Sequence, residues 1–200
     1  MATTSTGIAD IKRLREDTGA GIMEAKKALQ DADGNLDKAR KLLEQRGAAS
    51  VQKRAGRDAG EGLIEPYIHA GGQIGVLVEL NSETDFVARM PEFRELAHEI
   101  ALQIAATDPR YLTVDDIPAQ EIEDRKALFL SEAVKEGKPE KIANGIAEGR
   151  WKKYTQAHVL LEQPYIREDS KTMRQLVQEL AAKTRENIVI KRFTRYQIGA

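Results

Sequence analysis

Histidine and carboxylate side chains are the groups in this sequence that could bind a metal or act in acid–base chemistry. The three histidines lie far apart, in no spacing typical of a metal site: His69, His98 and His158. We interpret each as a surface or half-buried residue. The acidic residues at positions 121–124 fall within one predicted helix, and we interpret them as its solvated face. Residues distant in the sequence could still assemble an active site, but no pattern nominates them.

Other common kinds of reactive site are also missing from the sequence. It contains no cysteine, which removes disulfides, thiolate nucleophiles and cysteine-based zinc sites. No phosphate-binding Gly-x-x-x-x-Gly-Lys-Ser/Thr loop is present, and Gly71-Gly72 lies in a predicted hairpin turn instead of before a helix. No serine lies in a nucleophile elbow. We therefore expect a protein that is not an enzyme and that uses no cofactor or metal.

A basic stretch runs from Lys38 to Arg57, with seven lysine or arginine residues against one acid, Glu44. Such a stretch could contact nucleic acid or an acidic protein. No aromatic residue is interleaved there to stack on bases, so we favour a solvated helix face and linker. The whole chain carries 31 basic and 32 acidic residues, a net charge of −1, and has no global attraction for nucleic acid. Direct nucleic-acid binding is not expected.

An acid and a large aromatic residue stand side by side where a predicted strand meets a helix, in the segment Asn81–Pro91. Two interpretations of this segment remain open. In the first, which the spacing alone favours, Phe86 and Val87 close the end of the core and Asp85 caps the short turn that follows. In the second, an exposed Phe86 beside a charge forms an anchor for a partner protein on a rigid corner.

The first 47 residues predict a module of three short helices. Thr6 and Asn35 are the expected N-caps of the first and third helices, and Gly47 is the expected end of the third. Residues 48–60 are rich in alanine, glycine and basic residues and predict a linker, helical at first and then looser. Apolar residues at helical spacing mark the inward face of each helix: Ile8, Ile11 and Leu14; Ile22, Ala25 and Leu29; Leu36, Ala39, Leu42 and Leu43.

The remaining residues, 61–200, predict an α+β core with a three-stranded antiparallel sheet packed by helices. Pro66 places the first strand at an edge of the sheet. A slip in the apolar pattern between Ile190 and Phe193 indicates a β-bulge in the last strand. The expected elements are, in chain order, strands 63–68 and 74–80 joined by a turn, a helix from Pro91, helices 118–136 and 139–154, a last helix capped by Ser170, and a strand over 188–193.

Location in the cell is predicted from features that the sequence lacks. No apolar run approaches the roughly 18–20 residues needed to span a bilayer. The N-terminus has neither the basic start nor the apolar centre of a signal peptide. Together with the absence of cysteine, these features predict a cytoplasmic protein without membrane contact.

Three segments resemble the elongation factor Ts family. Residues Asn81–Arg89, with Thr-Asp-Phe-Val at their centre, look like the signature of that family. Leu14–Leu29 is similar to its N-terminal motif, which lies in a ubiquitin-associated-like three-helix module. Glu186–Phe193 is similar to its closing stretch. The three matches stand in the family's order and span most of the chain, so the chain is identified as a member of this family.

The resemblance implies a guanine nucleotide exchange factor for the translational GTPase EF-Tu, which binds EF-Tu·GDP and promotes GDP release without covalent chemistry. Phe86 with Asp85 would form a wedge between helices of the GTP-binding domain, near its Mg²⁺ site. The complete magnesium-dislodging segment would comprise Thr84, Asp85, Phe86 and Val87. The N-terminal module would dock on the same domain around four residues: Arg15, Thr18, Gly19 and Lys26.

The length of the chain implies the short form of this family. Only one hairpin-plus-helix core unit is apparent, whereas longer relatives carry two core halves and an inserted coiled coil. Short forms pair as homodimers, so the resemblance implies a two-plus-two complex with EF-Tu. Ser82 and Thr194 occupy positions where relatives can carry cysteine, so a dimer here could not be disulfide-linked. Met90 stands where the family usually has asparagine, a change that affects the cap of the following helix.

Three alternatives to exchange activity remain open. The three-helix unit could capture another protein, binding it equally well with or without nucleotide. The basic stretch 38–57 could instead bind RNA, with a steep dependence on salt. An enzyme with a site assembled in the α+β core would have to show turnover, and the sequence nominates no residue for it.

Overall fold

The N-terminal part of the chain forms three helices around a small core of its own. The computed structural model of this chain describes residues 7–137 and 139–199, so the predicted Thr6 cap lies outside the described residues. The helices are α1 (Ile8–Thr18), α2 (Ile22–Asp31) and α3 (Leu36–Arg54). The side chains between them are small or branched and have no exposed surface: Leu14, Ala25, Ala28, Leu29 and Ala39.

The ends of these helices follow local sequence signals. Gly19 ends α1 with a φ of 68°, in the left-handed region that favours glycine. The Asn35 side chain accepts a hydrogen bond at 2.9 Å from a backbone N–H in the first turn of α3, which confirms it as the N-cap. Ile8 and Ile22 were predicted to face inwards but are 87% and 58% exposed. Each is the first residue of its helix and lies beyond the small core.

The rest of the chain forms an α+β core, which confirms the predicted fold class. Strands β1 (Glu61–Ile68), β2 (Ile74–Ser82) and β5 (Val189–Gln197) form an antiparallel sheet in the order β1-β2-β5. Pro66 therefore lies in an edge strand, as predicted. The elements between β2 and β5 are α4 (Asp85–Ala88), α5 (Pro91–Thr107), α6 (Ala119–Lys135), α7 (Glu140–His158), the hairpin of β3 (Pro164–Tyr165) and β4 (Glu168–Thr172), and α8 (Met173–Thr184).

The three-stranded sheet has one buried and one exposed face. Val76, Val78 and Leu80 of the central strand point into the main core, which α5 and α8 complete, and at most 2% of each is exposed. The residues that alternate with these in β2, and the residues paired with them in β1 and β5, point away from this core. We call their surface the outer sheet face, and its large apolar members are exposed: Ile64, Ile68, Leu77 and Tyr196.

A β-bulge in β5 keeps both parts of its apolar pattern on the core side. Glu79 of β2 pairs with Arg192, whereas the next residue, Leu80, pairs with Ile190. Lys191 is thus the extra residue of the bulge. Ile190 and the following apolar residue of the strand, at position 193, both contact the main core. The bulge predicted from the sequence is confirmed.

Helix α3 is longer than predicted and joins the N-terminal helices to the core. It passes through Gly47, the predicted end, and continues to Arg54, with Ala55 as its C-cap. Gly47 lies against α8, where an added Cβ would be 3.5 Å from the Ala182 side chain. Val51, one turn further on, packs against the main core. Packing along α8 therefore outweighs the helix-breaking tendency of a single glycine, which is about 1 kcal/mol.

The last helix begins at a different cap from the predicted one. Ser170 lies within β4, and Thr172 is the N-cap of α8. Thr172 accepts a hydrogen bond from the Gln175 N–H at 3.2 Å, and the Gln175 side chain accepts one from the Thr172 N–H at 2.8 Å. This reciprocal capping box requires the Thr-x-x-Gln spacing, which Ser170 does not have. The β3–β4 hairpin was not predicted, because a two-residue strand has no alternating pattern.

Helices α6 and α7 form a hairpin with a separate aromatic core. Ile117, Tyr154 and Val159 are buried there, and Phe129 and Trp151 pack against them. The rings of Trp151 and Tyr154 are stacked, with centroids 5.6 Å apart. Neither these two helices nor any other helix in the described ranges is long and apolar enough to cross a membrane.

Candidate functional site

The segment between β2 and α5 forms a tight corner. β2 ends at the buried Ser82, whose hydroxyl donates to the Thr84 carbonyl at 2.9 Å. Thr84 is extended, with φ −126° and ψ 153°, and its side chain accepts a hydrogen bond from the Val87 N–H at 3.4 Å. Thr84 thereby caps the single turn of α4. Met90 follows as the N-cap of α5 without a side-chain cap bond, and Pro91 takes the first helical position.

Phe86 and Val87 leave this corner in different directions. Val87 is 4% exposed and packs in the main core, whereas Phe86 is 76% exposed. Neighbouring residues of a helix point about 100° apart, so only one of the two can face the core. The interpretation that spacing favoured is therefore wrong for Phe86. It is also wrong for Asp85, which does not cap the turn but forms an exposed ion pair with Arg89 at 2.8 Å.

Two carboxylates tie this corner to the loop before β5. Glu186 accepts hydrogen bonds from the backbone N–H groups of Glu83 and Thr84, both at 3.1 Å, and from the Thr84 hydroxyl at 2.6 Å. Glu83 in return accepts a bond from the Asn187 N–H at 2.7 Å and forms an ion pair with Arg57 at 3.4 Å. We call this set of contacts the carboxylate clasp. It joins positions more than a hundred residues apart in the chain.

The exposed groups of the corner are suited to recognition. Phe86 presents an apolar ring, and the neighbouring carboxylate of Asp85 is paired with an arginine. Burial of a phenylalanine side chain in a partner contributes about 1.5–3 kcal/mol. The clasp and the core hold the backbone beneath it, so little conformational entropy is lost on binding. Within residues 7–137 and 139–199, no group of three or more His, Cys, Asp or Glu side chains is close enough to hold a metal.

The four residues implied in the N-terminal module lie around the turn between α1 and α2. Arg15 and Lys26 are exposed. Thr18 donates its hydroxyl to a carbonyl of the preceding helical turn at 2.6 Å. Gly19 supplies the left-handed residue that the turn requires. The turn thus presents two cations on either side of a fixed backbone.

Two exposed apolar residues beside the same turn were not predicted. Ile22 and Met23 are 58% and 73% exposed at the start of α2. Adjacent helical residues point about 100° apart, so the exposure of Met23 follows from the inward direction predicted for Ile22, whereas the exposure of Ile22 itself had no sequence signal. With the nearby cations they form a mixed apolar and basic surface of the kind found in protein interfaces.

The N-terminal module contacts α8 close to the carboxylate clasp. Glu24 of α2 forms an ion pair at 3.3 Å with Arg185, the residue directly before Glu186. Arg54 of α3 donates to the Ala181 carbonyl at 3.4 Å. The corner and the α1–α2 turn therefore share one support, the C-terminal end of α8.

The three histidines remain separate in the fold. His69 shares a hydrogen bond of 3.0 Å with a tyrosine hydroxyl, and His98 contacts Glu65 at 3.1 Å. The His158 ring packs against Tyr154, with centroids 4.6 Å apart, and its burial lowers the His158 pKa. The first two histidines are exposed and the third is half-buried, which confirms the interpretation made from their spacing.

Glu121 was predicted to lie on the solvated face of α6, but it does not. Its carboxylate accepts hydrogen bonds from the hydroxyl groups of Tyr154 and, at 2.8 Å, of Tyr111. These two bonds lower the Glu121 pKa, with Tyr154 the larger cause. The side chain is half-buried against the aromatic core of the hairpin, whereas Glu123 and Asp124 are exposed as predicted. Glu121 of α6 thus contacts α7 through Tyr154 and the segment between α5 and α6 through Tyr111.

Three of the seven cations of the basic stretch form ion pairs within the fold. Arg40 contacts Asp17 at 2.6 Å, and Arg46 contacts Asp31 at 2.5 Å. Arg57 belongs to the carboxylate clasp. These pairs reduce the positive charge available to phosphates, and they favour a helix face over an RNA contact.

Known proteins are similar to this chain over most of its length. The family model described as elongation factor TS matches residues 21–200. Elongation factor Ts of Coprothermobacter proteolyticus is 50% identical over 189 residues, which cover 94% of this chain and 96% of the relative. That of Moorella thermoacetica is 48% identical over 191 residues, 96% of this chain and 94% of the relative. That of Desulfitobacterium hafniense is 51% identical over 191 residues, 96% and 88% respectively. The chain belongs to the elongation factor Ts family.

Proposed function

We propose that this chain is a guanine nucleotide exchange factor for EF-Tu, acting in the cytoplasm during translation elongation. The observation that carries the proposal is the 76% exposure of Phe86 on a rigid corner, within the segment that resembles the family signature. Membership of the elongation factor Ts family supports the same function.

Exchange requires binding energy and no catalytic residue. A factor that binds nucleotide-free EF-Tu more tightly than the nucleotide-bound form must weaken nucleotide binding by the same factor. Mg²⁺ bridges the nucleotide phosphates and the GTPase, so displacement of this ion removes a large part of the hold on GDP. Each increment of about 1.4 kcal/mol in this coupling weakens nucleotide binding tenfold.

The corner residues supply this coupling as a wedge. Phe86 fills an apolar gap between helices of the GTP-binding domain, and Asp85 rearranges the hydrogen bonds around it. Thr84 holds the turn as its cap, and Val87 anchors it in the main core. The segment Thr84–Val87 thereby presents Asp85 and Phe86 to the partner without losing its own conformation, and it disturbs the nearby Mg²⁺ site.

The α1–α2 turn forms a second contact with the same GTP-binding domain, and the α+β core reaches another domain of EF-Tu. Ile22 and Met23 add apolar area to this contact. Because α3 packs along α8, the turn and the wedge are presented together, and binding of one raises the effective concentration of the other. The other residues of the contact made by the α1–α2 turn are Arg15, Thr18, Gly19 and Lys26.

We retain the division into a module 1–47, a linker 48–60 and a core 61–200, in which the linker is helical as far as Arg54.

The outer sheet face pairs two copies of the chain, which gives a two-plus-two complex with EF-Tu. Ile64, Ile68 and Tyr196 are 63%, 67% and 71% exposed on this face. Thr194, at the position of a cysteine in some relatives, is exposed opposite Leu77 in the strand register. Two such faces can stack about 10 Å apart as a β-sandwich, which removes their apolar side chains from water.

Release of a fluorescent GDP analogue from EF-Tu tests the exchange function. Loaded EF-Tu is mixed with excess unlabelled GDP and catalytic amounts of this protein, and the loss of bound analogue is followed. We expect faster release with the unmutated protein. Phe86→Ala should reduce the acceleration about tenfold or more, since loss of a buried phenylalanine removes about 1.5–3 kcal/mol. Asp85→Ala should reduce it less.

Leu128→Ala is the matched control for Phe86→Ala. It also truncates an exposed apolar side chain, 44% exposed on α6, outside the corner. Circular dichroism verifies that each variant is folded. If the unmutated protein binds EF-Tu without accelerating release, the chain is a binding module and the exchange proposal is wrong. Equal rates for Phe86→Ala and the unmutated protein would remove Phe86 from the mechanism.

A further inference from the structure

We infer that Glu186 is a positioning residue, which fixes the conformation of the corner that carries Phe86. The inference deepens the proposed exchange function and rests on it for its kinetic consequence. Its structural consequence, restraint of Glu83 and Thr84, stands on geometry alone. No role is assigned to Glu186 by the resemblance, which gives it only as part of a similar closing stretch.

The hydrogen-bond directions explain how Glu186 acts through Thr84. The Thr84 hydroxyl has one proton, and it donates this proton to the Glu186 carboxylate at 2.6 Å. Its oxygen lone pairs then face the Val87 N–H, from which it accepts at 3.4 Å. Glu186 therefore sets the orientation in which Thr84 caps α4. Loss of this acceptor would free the hydroxyl to rotate.

The corner is held by Val87 and Ala88 in the main core on one side and by the Glu186 carboxylate on the side of β2. Helix α4 has four residues, and an isolated helix of that length is not stable in water. Phe86 contributes little packing of its own, because 76% of its surface is exposed. Beyond the end of β2, the backbone N–H groups of Glu83 and Thr84 both find their acceptor in Glu186. One carboxylate thus holds two successive amides and the cap.

The clasp is reciprocal, so it fixes position as well as orientation. The Glu83 carboxylate accepts a bond from the Asn187 N–H at 2.7 Å. The buried Asn187 side chain donates to the Arg57 carbonyl at 2.8 Å. Glu186 and Glu83 therefore each hold the backbone of the other's segment. Both oxygens of Glu186 are engaged within the chain, which favours an indirect role over a contact with a partner.

Amide hydrogen exchange of the complete chain, measured by NMR, tests the restraint without any partner. In Glu186→Ala, the Glu83 and Thr84 amides should exchange about tenfold faster or more, while the Val78 amide in the centre of β2 keeps its protection. Glu186→Gln should retain most of the protection, because its amide oxygen still accepts hydrogen bonds. Unchanged Glu83 and Thr84 amides overturn the inference, and so does an equal rise at Val78, which would indicate global destabilisation.

Nucleotide release then tests whether the restraint serves Phe86. Glu186→Ala should reduce the acceleration about tenfold, and Glu186→Gln should reduce it less, because its one oxygen can still accept from the Glu83 and Thr84 amides. In a Phe86→Ala background, Glu186→Ala should cause no further loss, because two residues that act as one unit are not additive. Glu179→Ala is the control, since it removes a carboxylate of α8 that pairs with Lys171.

The possible outcomes separate this inference from the proposed function. Additive losses for Glu186→Ala and Phe86→Ala would show direct action of Glu186 and overturn the positioning role. If the unmutated protein does not accelerate release, the exchange function fails. Amide exchange at Glu83 and Thr84 then still decides whether Glu186 positions the corner.

Discussion

Gly62 lies near the start of β1, where the backbone passes closer to β2 than a side chain permits. An added Cβ would be 2.2 Å from the Leu80 carbonyl oxygen and 2.8 Å from the Asn81 Cα, and the φ of Gly62 is 153°. Alanine would force β1 away from β2. We expect Gly62→Ala to lower the free energy of unfolding by about 2 kcal/mol or more, measured by urea denaturation with circular dichroism.

Gly60→Ala provides the matched comparison two residues earlier. An added Cβ at Gly60 meets no atom within 4 Å, so its free energy of unfolding should change by no more than about 0.5 kcal/mol. A similar loss in both variants would mean that the close approach of Gly62 to β2 does not limit stability.

At the scale of single residues, the sequence predicts a residue's role where the residues next to it in the chain determine that role. Asn35 is recognised as a cap because the first turn of its helix follows directly. Pattern alone could not decide between Phe86 and Val87, since the direction of a one-turn helix depends on the sheet beneath it. The bonds of Glu186 to Thr84 join residues 102 positions apart, and no pattern of nearby residues predicts them. The carboxylate clasp therefore could not be predicted from the sequence.

Helix α7 ends at His158, where the hairpin of α6 and α7 joins the core. Burial lowers the His158 pKa, and the nearby Arg110 and Arg125 lower it further, while Glu121 acts in the opposite direction. In the unfolded chain the group titrates near its ordinary value of about 6.5. As the pH falls through this value, the unfolded chain takes up the proton first, so the folded state loses stability.

Thermal unfolding at different pH tests the contribution of His158 to the pH dependence of stability. The melting temperature of the unmutated protein should fall as the pH is lowered from about 7.5 to 5.5. His158→Gln has no group that titrates in this window, so its melting temperature should fall less. Parallel curves for the two proteins would contradict a role for His158 in the acid sensitivity.

At the scale of elements, periodic patterns predicted the sheet and helix α5, but packing decided other boundaries. β2 alternates between buried residues and residues that are half-buried or exposed, and α5 buries its apolar stripe. Helix α3 runs past Gly47 because α8 supports it over two further turns. The hairpin of β3 and β4 has too few residues for a pattern. Contacts distant in the sequence thus determine where these elements begin and end.

At the scale of the molecule, the fold class was predictable, whereas the placement of the N-terminal helices was not. The change from a helical to an alternating pattern marks an α+β core. The N-terminal helices meet the end of α8 through Gly47 of α3, which lies against Ala182, and through the ion pair of Glu24 of α2 with Arg185. Neither contact gives a sequence signal. The apolar character of the outer sheet face was not predicted either, because an alternating pattern predicts only that one face of the sheet is buried.

The proposed homodimer has its clearest test in the centre of the outer sheet face. Leu77 lies in the central strand between Pro66 and Thr194 and is 46% exposed. In a stack of two sheets its side chain would be buried, and an unpaired carboxylate there would be strongly unfavourable. We expect Leu77→Asp to have the mass of a monomer, 22.3 kDa, in sedimentation equilibrium, whereas the unmutated protein has twice that mass.

Leu128→Asp separates loss of the interface from a general effect of the new charge, because Leu128 is 44% exposed on α6, away from the sheet. This variant should remain dimeric, and circular dichroism of both variants should show an intact fold. A dimeric Leu77→Asp protein would place the interface elsewhere, and a monomeric unmutated protein would contradict the two-plus-two complex. The wedge would be unaffected by either result, since Phe86 and its clasp lie within one chain.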